Sequence, residues 1–259
     1  MGAGASTDLD AKLKAANADE IKTALEALTP EAREKLRKAV IASKKVLIVA
    51  TSASKCGDHT TGAWSEEICG PYYVFKDAGL SVTVCSIGGG DIPIDAGSLS
   101  DTFKTENDKR MEAEGNTVLK GTPKLADQKI EDFDIVFFAG GHGTCIDFPT
   151  DEVGAICKKV MDSGKILAAV CHGPMCFAKA GDVVKDKKMA CFSDVEEGQV
   201  KLTDLVKEKT GFLLEAKMIE LGAVVQNKDP WSDNAVRDGC LVTGQNPQSS
   251  VSAAKLCIA

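Results

Sequence analysis

Ile166-Leu167-Ala168-Ala169-Val170-Cys171-His172-Gly173-Pro174 is the stretch on which the fold turns. Five apolar residues in succession leave neither alternating face polar, so a strand here has to be covered by helices on both sides. The run ends at Gly173, where a missing side chain lets the backbone fold back, and at Pro174, whose absent N–H costs little in a first helical turn. Ile135-Val136-Phe137-Phe138 has the same two-sided apolar texture and runs into Gly140-Gly141-His142-Gly143-Thr144-Cys145. Further strands read at 46–50, 82–85 and 241–243, with helical patterns at 66–78, 151–163, 173–180 and 203–221. That alternation predicts an α/β domain with a parallel sheet over residues 45–259. Residues 88–128 read as a long polar insertion, and no linker divides the domain. Ligands of such sheets bind where loops leave the carboxyl ends of central strands, which singles out the loops at 140–145 and 171–174.

Residues 1–44 form a separate appendix with a flexible start. Leu9, Leu13 and Ala16 recur at helical spacing, as do Ile21, Leu25 and Leu28 behind a capping box from Asn17 to Glu20, and Leu36 and Val40 behind Thr29-Pro30. Its apolar stripe needs cover from the main domain, a partner or a second copy of the chain. The first six residues, Met1-Gly2-Ala3-Gly4-Ala5-Ser6, fit the acceptor pattern for N-myristoylation at Gly2, and equally a small-residue terminus. No apolar stretch is long enough to span a bilayer, so membrane contact would need that lipid or a partner.

The chain has 259 residues, 44% hydrophobic and 27% charged, enough for one extensive core without staples. A net charge of −7 with both signs mixed argues against a nucleic-acid partner. Ten cysteines in a chain of this length, without a secretory signal's apolar core, point to a reducing, cytoplasmic compartment. Isolated pairs such as His142 with Cys145 and His59 with Cys56 are too few for a closed metal site unless distant groups converge, so no metal is expected. No phosphate-cradling glycine motif is present, and no cofactor is expected.

Cys171 follows a buried strand and precedes a helix, the setting of a nucleophile elbow. The positive end of the helix predicts a thiol pKa below the free value of about 8.5. Histidines occur only at 59, 142 and 172. An amidotransferase or papain-like site takes its base from a distal histidine, which this chain lacks, so the base is His172 or a carboxylate. The amides of Gly141 and His172 are candidates for an oxyanion hole, with Gly140 and Gly141 letting the backbone approach substrate. His142 either bonds substrate or holds its loop. His59 and Asp58 lie on the loop after the first strand and read as a solvated loop, with substrate-pocket or metal-binding groups as the alternative.

Ala169 to Pro174, Ala139 to Thr144 with Asp147-Phe148-Pro149, and Thr243-Gly244-Gln245-Asn246-Pro247-Gln248-Ser249 together resemble the PfpI superfamily. The similarity is to its heat-shock-type branch of glutathione-independent glyoxalase III and chaperone proteins, and it runs from about Lys45 to the C-terminus. The resemblance implies a flavodoxin-like three-layer sandwich, related to class I glutamine amidotransferases, and a homodimer. It also implies Cys171 as nucleophile, His172 as proton-transfer partner, and a carboxylate on a later strand and turn that orients the histidine. Glu197 aligns best for that role, with Glu196 and Asp194 close by. The pattern Thr61-Gly62 to Glu67 places a second carboxyl at Glu67, which must be protonated to sit beside a thiolate. The implied reaction converts methylglyoxal or a similar 2-oxoaldehyde to a 2-hydroxy acid such as lactate. Competing readings are a deglycase, a holdase chaperone, a redox sensor and, with the distal histidine missing, a peptidase or amidotransferase.

Overall fold

The computed structural model describes residues 18–259. The chain divides into two compact units between Ala42 and Ser43. The Gly2 acylation pattern, the stripe at Leu9, Leu13 and Ala16, and the Asn17 end of the capping box lie outside the described residues. In the first unit, helices run over Ala18–Glu26 and Pro30–Ala42. The second helix starts at the Thr-Pro step, where Thr29 Oγ1 accepts the Ala32 amide at 3.2 Å. It buries no side chain, and Leu25, Leu36 and Val40 are exposed.

The second unit is built on β1 (Lys45–Ala50), β2 (Ser81–Ser86), β3 (Ile135–Phe138), β4 (Ile166–Val170), β5 (Ala235–Asp238) and β6 (Leu241–Gly244). Their order is β2-β1-β3-β4-β6-β5, parallel throughout except for the antiparallel edge strand β5. The chain reverses direction across the sheet between β1 and β3, the switch point of a flavodoxin-like sheet. All of β3 and β6 is buried, as are β1 from Val46 and β4 from Leu167. Strands buried on both faces require a helical layer on each side. Helices α1 (Ser65–Asp77) and α3 (Ser250–Cys257) pack on each other and on the sheet, and α2 (Asp151–Asp162) packs against β4.

The structure departs from the sequence reading at several elements. Residues 203–221 are two helices, Thr203–Thr210 and Leu214–Glu220, parted where Gly211 takes a left-handed φ of 81°. The helix expected over 173–180 is a short 3₁₀ segment, Gly173–Phe177. The polar insertion contains a helix, Glu106–Ala113, closed by a capping box between Thr105 and Asp108. Strand β5 and helix α3 had no counterpart in the reading. Ala235-Val236-Arg237-Asp238 pairs on one side only, so it lacks the apolar run that marks a central strand.

Candidate active site

Strand β4 delivers Cys171 into a turn that it enters with φ of 58°, unusual for a residue with a side chain. Backbone bonds over-determine that turn. The Cys171 amide donates to Gly244 O of β6 at 2.9 Å, and Cys171 O accepts the Phe192 amide at 3.0 Å. A methyl group on Gly173 would stand 2.3 Å from Phe138 O, so the turn packs directly on the end of β3. Thr144 Oγ1 ties the two loops together, lying 2.8 Å from Gly141 O and 3.1 Å from His172 O. Asp147 holds the loop after β1 by accepting from Thr51 Oγ1 at 2.8 Å and Ser52 N at 2.7 Å.

His172 stands between sulfur and carboxylate: Nδ1 lies 3.4 Å from Cys171 Sγ and Nε2 lies 2.7 Å from Glu197 Oε2. The other oxygen of Glu197 is 2.9 Å from His142 Nε2. All three groups are buried. Burial alone would raise the Glu197 pKa, but the two imidazoles hold it well below the usual carboxylate range. Burial, together with neighbouring His142, lowers the His172 pKa. An ionised Glu197 facing a neutral His172 selects the Nε2–H tautomer, which leaves the Nδ1 lone pair facing the thiol.

The sequence reading of Glu197 on a strand and turn is corrected here: it sits on the helix Asp194–Gln199, behind the Ser193 cap. Of the three carboxylates, only Glu197 meets His172. Glu196 instead accepts from the Ser193 and Trp231 amides at 2.9 and 2.7 Å and from Asn246 Nδ2 at 2.9 Å, while Asp194 is partly exposed.

Glu67 reaches Cys171 from α1. Its Oε2 accepts the Gly140 amide at 2.7 Å, and its Oε1 has no conventional hydrogen-bond partner. Burial pushes its carboxyl up to about 8, against a hydrogen bond with Cys171 that pulls it down. The Cys171 thiol is itself raised well above its ordinary range, first by burial and then by the Glu67 carboxyl. This overturns the expectation of a depressed pKa. The element after Cys171 is a short 3₁₀ turn, whose dipole is smaller than that of a full α-helix, and desolvation of a thiolate outweighs it. The resting pair is therefore a thiol beside a neutral imidazole. The His172 amide is directed at its neighbour's sulfur, and the Gly141 amide has no acceptor among the described residues.

His142, left open between two roles, is buried and bonded to Glu197. His59 is exposed, edge-on to His142 at 6.4 Å, and Asp58 is exposed. His142, His172 and Glu197 bring donor atoms within 4.8 Å of one another, a convergence no sequence spacing shows, although these atoms already hydrogen-bond among themselves. Two contributors had no role assigned from the sequence, Thr144 and Phe192, whose ring lies 4.4 Å from that of His172, and Glu196, read as an alternative partner for His172, is instead a hydrogen-bond hub.

Residues 59–259 match the DJ-1/PfpI family. Glyoxalase 3 of Candida albicans is 33% identical over 232 residues, covering 83% of this chain and 97% of the relative. Glutathione-independent glyoxalase HSP31 of Saccharomyces cerevisiae is 30% identical over 229 residues, covering 83% and 96%. The crystal structure of glyoxalase III from Candida albicans superposes with a TM-score of 0.75 at 32% identity, over 83% of this chain and 96% of that one.

Proposed function

The chain belongs to the DJ-1/PfpI family, and from that premise we propose that it is a glutathione-independent glyoxalase converting methylglyoxal or a similar 2-oxoaldehyde to the 2-hydroxy acid. The observation that carries the reading is one sulfur, Cys171, placed between the Nδ1 of His172 at 3.4 Å and the raised carboxyl of Glu67. Cys171 adds to the aldehyde carbon as His172 takes the thiol proton, so the ionic pair forms only when substrate arrives. The resulting oxyanion is met by the Gly141 and His172 amides. Neutral Glu67 donates to oxygen or sulfur without adding negative charge. The protonated His172 returns its proton to that oxyanion, giving a neutral hemithioacetal. Neutral again, it takes the proton of the former aldehyde carbon while Glu67 protonates the neighbouring carbonyl oxygen, which gives the enediol. His172 then delivers its proton to the neighbouring carbon as the hemithioacetal hydroxyl returns one to Glu67, and water cleaves the resulting thioester to lactate and the free Cys171 thiol. Glu197 keeps the imidazole in its reactive tautomer throughout.

The reading extends to a homodimer in a reducing, cytoplasmic setting. All ten cysteines are free, and no helix among the described residues is long and apolar enough to cross a membrane. The test is chiral analysis of the product from purified protein given methylglyoxal with no thiol added. A single lactate enantiomer is expected, and Cys171→Ala is expected to abolish it. Turnover surviving in that variant would remove the cysteine mechanism.

A further inference from the structure

Both tryptophans of the chain, Trp64 and Trp231, belong to one arc of rings that starts at the catalytic imidazole. From His172 the contacts run to Phe192 at 4.4 Å between centroids, then to Trp231 at 5.7 Å, Phe103 at 6.3 Å and Trp64 at 5.2 Å. The far end returns to the same centre, because the Trp64 amide donates to Gly140 O at 3.1 Å and the Gly140 amide donates to Glu67. Four separate segments of chain thus set an arc of aromatic side chains that begins against the His172 imidazole, next to Cys171 in the chain.

Trp64, Phe103 and Trp231 are each half-buried, an arrangement that leaves ring surface to meet a ligand. Trp231 is held in place at a cost: its backbone is left-handed, with φ of 63°, while its amide is bound by Glu196 and its Nε1 donates to Gln199 Oε1 at 2.6 Å. Trp64 and Phe103 also line a cavity of about 360 Å³, within the range of small-molecule sites.

We propose that Phe192, Trp231, Phe103 and Trp64 form the subsite for the substituent of the 2-oxoaldehyde, and that the enzyme selects a flat aryl group there over a methyl group. The inference rests on the glyoxalase reading and deepens it. An aldehyde carbon bound at Cys171 leaves its substituent facing the rim, where ring-on-ring contact is available to an aryl group and a methyl group gains little.

The experiment compares phenylglyoxal with methylglyoxal. In the intact protein kcat/KM should favour phenylglyoxal by roughly tenfold, the factor that aromatic contacts of this kind supply. Phe103→Leu keeps the apolar volume without the ring and should reduce that ratio several-fold, chiefly through KM, with Trp231→Phe retaining most of it. In Cys171→Ser, tryptophan emission reports occupancy of the rim without chemistry, and phenylglyoxal should quench it saturably at lower concentration than methylglyoxal does. Equal kcat/KM for the two aldehydes, unmoved by Phe103→Leu and without saturable quenching, overturns the subsite while leaving the glyoxalase reading intact. Saturable quenching with no turnover of either aldehyde supports the rim and counts against the reaction.

Discussion

One proton on Glu67 links the site's chemistry to its pH range. Its carboxyl titrates at about 8, raised by burial, and His172 titrates below its ordinary value. The mechanism needs both groups neutral. Activity should therefore rise as His172 loses its proton on the acid side and fall as Glu67 ionises near pH 8, which a kcat/KM profile measures. Glu67→Gln should lower the rate yet remove the alkaline limb. The same proton bears on stability with a definite sign. Between the ordinary carboxyl value of 4.5 and about 8 the folded state keeps a proton that the unfolded chain has released, so this group's contribution weakens as pH rises through that window. Thermal melts of Glu67→Gln should show a smaller loss of Tm between pH 5 and 8.5 than the parent. Glu197→Gln should cost about two to four orders of magnitude in kcat, since an amide no longer fixes the Nε2–H tautomer; a loss below tenfold would count against the tautomer argument. At this scale residue types were legible and their ionisation was not. Cys171 could be placed in its turn from neighbours along the chain, but its raised pKa depends on Glu67, some hundred positions away, and on burial that only the packed domain defines.

At the level of elements, the substitution glycine to alanine should give two different outcomes. Gly211 ends the helix Thr203–Thr210 with φ of 81°, and a methyl group there meets nothing within 4 Å. Only the left-handed backbone is penalised, by about 1–2 kcal/mol, and the site should keep its activity. At Gly173 the same methyl group would lie 2.3 Å from Phe138 O, a backbone atom that cannot swing away. Denaturant titration with an activity assay should find the Gly173 variant the less stable of the two and impaired in turnover, because relieving the clash separates the Cys171 turn from β3. The central strands were legible since β3 and β4 are apolar on both faces, a pattern local to each segment. Edge strand β5 was not, because Arg237 and Asp238 satisfy no hydrophobic period and pairing with β6 alone makes them a strand. The rim of rings was hidden for a related reason. Phe103 lies in an insertion that looks merely polar, Trp231 follows a Pro in a loop, and nothing in their spacing says that tertiary structure sets them 6.3 Å apart.

For the whole molecule, what matters is that, among the described residues, the groups named around Cys171 come from the second compact unit. Glu67 arrives on α1, Gly140 to Thr144 after β3, Cys171 and His172 after β4, and Glu197 from the helix that follows, all beyond Ser43. The sheet through which these segments register, with Val46 opposite Ile135 and Ile135 opposite Ile166, likewise lies wholly in that unit. Removal of residues 1–42 should therefore leave kcat/KM for methylglyoxal and the cooperative thermal transition of the α/β domain essentially unchanged. Oligomeric state is where the appendix has room to act, since Leu25 and Leu36 are exposed apolar side chains on its helices. Light scattering coupled to size exclusion, run on both forms, separates the cases: a dimer in both places the interface on the α/β domain, as the family likeness implies, and a dimer only in the full chain places it on the helices. Loss of turnover on truncation, with the domain still folded by circular dichroism, would mean that the first forty-two residues complete the site and would contradict the assignment of catalysis to residues 43–259.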